Sequence, residues 1–65
     1  MKRYRYYCLM RPPAPGTIPR GAVEVEYWDA RPYVDAIKHH AWGYVEYSRP
    51  LTDTEIGEYE LCPAG

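Results

Sequence analysis

The chain has 65 residues, of which 46% are hydrophobic, and it contains eight tyrosines, two tryptophans and no phenylalanine. A chain of this length predicts one domain over residues 1–65, with an interior too small for a deep catalytic pocket. The formal net charge is −1, and no apolar run approaches the ~20 residues that a membrane-spanning helix needs. These features exclude a membrane-spanning protein and weigh against a strongly basic nucleic-acid-binding domain.

The cysteines are Cys8 and Cys62, near opposite ends of the chain. The charged N-terminal stretch lacks the apolar core of a signal peptide, so we expect a cytoplasmic protein. Thiols stay reduced in that compartment and pack as small hydrophobes. A disulfide that closes the long loop between the cysteines is the alternative.

The first predicted strand covers residues 3–10, with Tyr4, Tyr6, Cys8 and Met10 on an apolar side and Arg3, Arg5, Tyr7 and Leu9 on a mixed side. A proline-rich tract follows over residues 11–21. Its prolines prevent a helix and cannot donate to a sheet ladder, so they predict an extended, stiff connection. We expect Ile18 to anchor this tract to the domain.

Residues 22–28 form the clearest predicted strand. Val23, Val25 and Tyr27 alternate with Glu24 and Glu26, which predicts an apolar side facing the core and an acidic side facing solvent.

A short helix is predicted over residues 30–40. Asp29 is a suitable N-cap, and Pro32 is tolerated in the first turn. Val34 and Ile37 have helical spacing, although a helix of this length needs packing against the rest of the protein to persist.

Residues 41–51 begin with aromatic and β-branched residues, which predicts the central strand of the sheet over residues 41–47. Thr52 and Glu55 have the spacing of a capping box, and Leu51 and Ile56 have that of a hydrophobic staple. They predict a second helix over residues 53–59, followed by a short edge strand over residues 59–62.

The predicted fold class is therefore α+β, with a small, mainly antiparallel sheet of three to four strands and one or two short helices. The expected element order is β-β-α-β-α-β. The predicted core consists of Tyr6, Cys8, Val23, Val25, Val34, Ile37, Trp42, Tyr44, Val45, Leu51, Ile56, Tyr59 and Leu61.

Motifs for catalysis or cofactor binding are missing from the sequence. Ser48 lacks the flanking glycines of a nucleophile elbow, and Cys8 falls on the predicted buried side of its strand. His39 and His40 are adjacent, so on a helix they point in different directions and cannot chelate one ion together. We expect a protein that is not an enzyme and that needs no metal or other cofactor.

The charges are segregated along the chain. The basic residues of the first third are Lys2, Arg3, Arg5, Arg11 and Arg20, and the acidic residues of the last third are Glu46, Asp53, Glu55, Glu58 and Glu60. Such segregation can mark an interaction surface. We favour the simpler interpretation that strands from the two ends lie side by side and pair their charges.

Two sets of residues are candidates for binding. Exposed Tyr, Trp and Arg side chains commonly anchor protein interfaces, which selects Arg3, Arg5, Tyr7, Trp28 and Tyr47 for a protein partner. A platform for single-stranded nucleic acid is the alternative, with Arg3, Arg5, Tyr7, Arg11 and Arg20. The same aromatic residues could instead fill out a thin sheet or a homodimer contact.

The segments RYRYYCLM, RPPAPGTIP, AWGYVEYSRPLT and the closing YEL together resemble small uncharacterised proteins carried by bacterial phages and integrating mobile elements. The similarity covers nearly the whole chain. The resemblance implies a small non-enzymatic protein that binds a host protein in the bacterial cytoplasm. An inhibitor of a host defence system, in the manner of an anti-CRISPR protein, is one such function.

Overall fold

An antiparallel sheet of four strands organises the computed structural model, which describes residues 2–64. In chain order the elements are β1 (Tyr4–Cys8), β2 (Glu24–Tyr27), β3 (Tyr33–Val34), β4 (His39–His40), β5 (Gly43–Tyr47), α1 (Asp53–Glu58) and β6 (Leu61–Pro63). The main sheet has the strand order β2-β5-β1-β6, while β3 and β4 form a separate hairpin. The predicted α+β class and antiparallel sheet are confirmed, but the predicted element order is not.

The strand β5 lies inside the sheet, as predicted for residues 41–47. Val45 is opposite Tyr6 of β1 on one side and opposite Val25 of β2 on the other. The strand β1 is also internal, because β6 pairs with its far side. In consequence, β2 and β6 are the two edges of the sheet.

The helix predicted over residues 30–40 is wrong, since this segment is the β3–β4 hairpin. Tyr33 is opposite His40, and their rings contact edge to face with centroids 5.4 Å apart. The turn is closed by Lys38, whose φ of 55° is left-handed. The Ala41 N–H donates to the Pro32 carbonyl at 3.1 Å, which keeps the base of the hairpin closed. Tyr and Val favour strands, and so short a helix would have had no packing surface to stabilise it.

The core covers one face of the sheet. It contains Tyr6, Cys8, Val45, Tyr47, Leu51 and Leu61. Ile56 from α1 and Ile18 and Ala22 from the loop after β1 pack against it, which confirms Ile18 as an anchor. Five of these six buried residues were predicted to lie in the core, and Tyr47 is the exception.

The strand β2 contributes little to this core, contrary to prediction. Val25 of β2 and Val23, just before this strand, are 47% and 46% exposed because β2 is an edge strand that the loop and helix do not cover. Trp42 and Tyr44 are half-buried, and Val34 and Ile37 are half-buried on the hairpin rather than on a helix.

The start of α1 confirms the predicted capping box. The Glu55 N–H donates to Thr52 Oγ1 at 3.1 Å, and the Thr52 N–H donates to Glu55 Oε1 at 2.9 Å. The helix ends at Glu58, one residue before the predicted end, and β6 begins at Leu61 after Glu60 adopts a left-handed φ of 55°.

Tyrosine hydroxyls satisfy backbone groups inside the core. Tyr6 Oη accepts the Leu51 N–H at 2.8 Å, and Tyr47 donates to the Pro19 carbonyl at 2.5 Å. The two rings also meet edge to face at 6.2 Å. Each hydroxyl therefore attaches a loop to the sheet, which a phenylalanine could not do.

Replacing either hydroxyl should destabilise the fold. Tyr6→Phe leaves the buried Leu51 N–H without its acceptor, and Tyr47→Phe leaves the Pro19 carbonyl without its donor. We expect each change to lower the free energy of unfolding in urea by about 1–3 kcal/mol. Tyr27→Phe is the matched control, because Tyr27 is 55% exposed and should change stability by less than about 0.5 kcal/mol. Equal effects of the three changes would contradict this role of the hydroxyls.

Gly43, the first residue of β5, should not tolerate a side chain. Its φ is 153°, and a Cβ there would lie 2.1 Å from the Glu26 backbone oxygen. We expect Gly43→Ala to cost about 3 kcal/mol or more, enough to unfold much of so small a protein. Gly57→Ala is the control, because a Cβ at this helical position meets nothing within 4 Å and should stabilise α1 by about 0.5–1 kcal/mol. Thermal unfolding followed by circular dichroism measures both.

Candidate functional site

The face of the sheet opposite the core carries a continuous group of arginine, aromatic and acidic side chains. The strand register places Arg5 beside Glu46 and Tyr7 beside Tyr44 on this face. Within residues 2–64 the single helix packs on the opposite, core side. We call this surface the open face, and it consists of Arg3, Arg5, Tyr7, Glu24, Glu26, Trp28, Tyr44 and Glu46.

A charge cluster occupies the first half of the open face. Glu46 is 9% exposed, and its carboxylate accepts hydrogen bonds from Arg5 Nε at 2.8 Å and from Arg3 Nη1 at 3.3 Å. Arg3 Nη1 also lies 3.3 Å from Glu24. Hydrogen bonding by Arg5 lowers the pKa of Glu46, so this carboxylate stays ionised at neutral pH.

An aromatic cluster occupies the second half. The rings of Tyr7, Trp28 and Tyr44 form a triangle with centroid separations of 6.2, 6.0 and 6.1 Å. Tyr7 is buried at its base, whereas Trp28 and Tyr44 are half-buried. Two large aromatic side chains thus keep apolar surface available to a partner.

Arg5 joins the two clusters. Its guanidinium carbon lies 3.9 Å from the centroid of the Tyr44 ring, in a cation–π contact, while its nitrogens bind Glu46. The side chains of Arg5 and Arg3 remain 40% and 49% exposed. Arg5 is therefore held in one orientation with much of its surface still accessible.

Four of the five predicted partner-binding residues lie together on the open face, namely Arg3, Arg5, Tyr7 and Trp28. Tyr47 is the exception, because it is 1% exposed, lies on the core side of β5 and binds Pro19. It cannot contact a partner in this fold, and we remove it from the candidate site. Sequence reasoning missed Tyr44 and Glu46, which the alternation of β5 could have identified once its core side was known.

The residues predicted for nucleic-acid binding do not share one surface. Arg11 pairs with Glu60, and Arg20 borders a hollow beside the proline tract together with Ile18 and Tyr59. Of the five, Arg3, Arg5 and Tyr7 alone belong to the open face. Arg3 and Arg5 both pair with carboxylates, and Glu26 adds a further negative charge to the open face.

The buried Cys8 thiol is a poor nucleophile. Burial raises the pKa of Cys8 to about 11, so this thiol is protonated at neutral pH. Both cysteines are free, and the register places them on opposite sides of the sheet.

Over residues 2–64 no cluster of His, Cys, Asp or Glu has the arrangement of a metal site. Over the same residues no helix has the length and apolar character needed to cross a membrane.

Comparisons with known proteins identify relatives of the chain. The family model described as Defence against restriction A C-terminal matches residues 1–65. The Defense against restriction protein A of Escherichia phage P1 is 38% identical over 60 residues, which cover 89% of this chain and 9% of that protein. The chain thus spans roughly a tenth of the length of this curated relative. No solved structure shows significant similarity to this chain.

Acid should destabilise the protein through carboxylates that arginines hold ionised. Arg5 lowers the pKa of Glu46 below its ordinary 4.5, and Arg49 with Thr52 lowers the pKa of Glu55 to about 2. Such carboxylates contribute stability fully above pH 4.5, and this contribution is lost as the pH falls through the folded-state pKa. We expect the free energy of unfolding to decrease between pH 4.5 and pH 2.

Variants that cannot titrate test this dependence. Glu55→Gln should reduce stability at neutral pH and make the decrease toward pH 2 smaller. Glu58→Gln is the matched control, since Glu58 lies on the same helix, is exposed and forms no ion pair within residues 2–64. Urea unfolding at a series of pH values measures the effect. Identical pH profiles for Glu55→Gln and the parent protein would contradict this role of the Arg49–Glu55 pair.

Proposed function

The chain belongs to the Defence against restriction A C-terminal family, and from this premise we propose that it is a non-enzymatic protein-binding module with which a phage counters host defence. Its partner in this proposal is a host protein in the bacterial cytoplasm. The name of the phage P1 relative points first to restriction systems as the target, and CRISPR nucleases are the second class of target in this proposal.

The arrangement of the open face is the observation that carries this proposal. Trp, Tyr and Arg are the side chains that most often dominate binding energy at protein interfaces. Here Trp28 and Tyr44 retain accessible aromatic surface beside Arg5. Glu46 and Tyr44 hold Arg5 in place before any partner arrives, so little side-chain entropy is lost on binding.

The chemistry of the described residues supports a non-enzymatic role. The thiol of Cys8 is protonated and buried, and Arg3, Arg5, Glu24 and Glu46 of the open face are joined in ion pairs. An array of paired charges around aromatic rings can recognise another surface, whereas nucleophilic catalysis needs a free base held beside a nucleophile.

Binding of single-stranded nucleic acid is the second candidate. Its support is the stacking of Arg5 on Tyr44 on a sheet surface, an arrangement that also suits nucleobases. Phosphates require a positive field, however, and Glu24, Glu26 and Glu46 lie on the same face as the arginines. The electrostatics therefore favour a protein partner.

The open face can be tested by capturing partners from a lysate of the bacterial host on the immobilised domain. We expect Trp28→Ala and Arg5→Lys each to weaken retention of the specific partner about tenfold or more, because they remove an aromatic anchor and the planar guanidinium. Arg5→Lys preserves the charge, so its effect separates stacking and forked hydrogen bonding from net electrostatics. Quantitative mass spectrometry of the retained proteins measures the loss.

Matched controls lie outside the open face. Tyr33→Ala removes an aromatic side chain that is 53% exposed on the hairpin, and Arg49→Lys alters an arginine beside α1. Both should retain the partner as the parent protein does. Equal retention by all four variants would contradict the proposed face. A salt-sensitive complex with a labelled single-stranded oligonucleotide, lost in Arg5→Lys, would favour nucleic acid instead.

A further inference from the structure

The outer edge of β2 has the properties of a strand-docking site. We propose that it accepts a β-strand of the partner protein whose residues alternate between apolar and basic. This inference rests on the proposed protein-binding function and adds how the partner's chain would be held. The docking edge does not include Arg5 or Trp28, which are the expected anchors of the open face.

Backbone groups without a strand partner within residues 2–64 line this edge. The Trp28 N–H donates to the Trp42 carbonyl at 3.1 Å, and the Glu26 backbone oxygen lies close to Gly43 of β5. These groups of Glu26 and Trp28 therefore point toward β5. In an antiparallel ladder successive residues turn their backbone groups to opposite sides. The N–H and C=O groups of Val25 and Tyr27 therefore point away from β5, in the spacing that a further strand would pair with.

The side of β2 that continues the core face is apolar and uncovered. Val25 and Tyr27 are 47% and 55% exposed, although the register puts them on the same side of the sheet as Val45. Natural sheets usually protect an edge with charged side chains, especially lysine, with proline or with a covering loop. The residues of β2, Glu24–Tyr27, include neither lysine nor proline, and their two charges lie on the other side of the sheet. Apolar side chains of a docked strand would extend the core over this surface.

The other side of β2 selects the charge of the docked strand. Glu24 and Glu26 both lie there, and Glu26 forms no ion pair within residues 2–64. Like charges on directly opposite residues destabilise paired strands. A second copy of this chain, paired antiparallel with its faces matched, would place glutamate against glutamate. Lysine or arginine at the same positions would pair with both carboxylates.

The opposite edge of the sheet is a poorer acceptor. The strand β6 has three residues, and its last, Pro63, lacks a backbone N–H. Docking should therefore be confined to β2, which allows β6 to serve as an internal control.

Peptide binding tests the inference directly. The probe is a short, end-blocked peptide of alternating valine and lysine, and its controls are a peptide with glutamate in place of lysine and a scrambled sequence. We expect saturable binding of the lysine peptide alone, weakened by added salt. Amide shifts in NMR spectra of the labelled protein should concentrate on Val25 and Tyr27, with β6 unchanged.

Two variants separate backbone pairing from charge. Val25→Pro removes an N–H that the ladder to β5 does not use, so it should leave the sheet intact and weaken peptide binding roughly fivefold to tenfold. Glu26→Lys should reverse the preference, so that the glutamate peptide binds better than the lysine peptide. Glu58→Lys changes the same charge on α1 and should bind like the parent protein. Circular dichroism checks that each variant is folded, and Glu26→Lys decides the outcome if Val25→Pro is not.

Several results would overturn the inference. These are no binding of the lysine peptide, equal binding of the scrambled peptide, amide shifts confined to other strands, or a dimer in sedimentation that Val25→Pro abolishes. None of them depends on Arg5→Lys or Trp28→Ala. Failure of the strand-docking inference is therefore distinguishable from failure of the open face, which the capture experiment reports.

Discussion

The position of β5 between β1 and β2 is the constraint on which the other features of the molecule depend. Its five residues face both sides of the sheet, so Val45 and Tyr47 enter the core while Tyr44 and Glu46 form part of the open face. Glu46 in turn holds Arg5 and Arg3 of the N-terminal segment. The approach of β2 is equally strict, because the Glu26 backbone oxygen occupies the space where a side chain at Gly43 would lie.

The composition becomes understandable in this small fold. The core has few apolar residues, and its large side chains are tyrosines whose hydroxyls bind Leu51 and Pro19. The charge segregation along the sequence also resolves into contacts, since arginines near the N-terminus pair with Glu46 and Glu60. The Arg5–Glu46 pair between β1 and β5 is a cross-strand pair of the predicted kind. Ion pairing neutralises both arginines of the open face, where Glu26 forms no ion pair within residues 2–64.

Local signals in the sequence predicted much of the fold, and non-local contacts account for what they missed. The cap at Thr52 and the composition of β5 act through near neighbours, and both predictions are confirmed. Val34 and Ile37 are compatible with a helix or a strand, and packing decides for the hairpin. The alternation of Val23 and Val25 is the same at an edge as at the centre, so their exposure was not predictable. Tyr47 was misplaced because the face of β5 that meets the core follows from partners far away in the chain.

The topology also imposes an order of events in time. Tyr6 pairs with Val45 and with Pro63, so β1 has no strand partner until β5 and β6 have been synthesised. Pairings between distant segments form slowly, because the entropic cost of closing the intervening loop comes before any stabilising contact. During synthesis the tyrosine-rich β1 would therefore stay unpaired until β5 has been added. The stiff proline tract that follows β1 lowers the entropic cost of loop closure, because it limits the conformations of the unfolded chain.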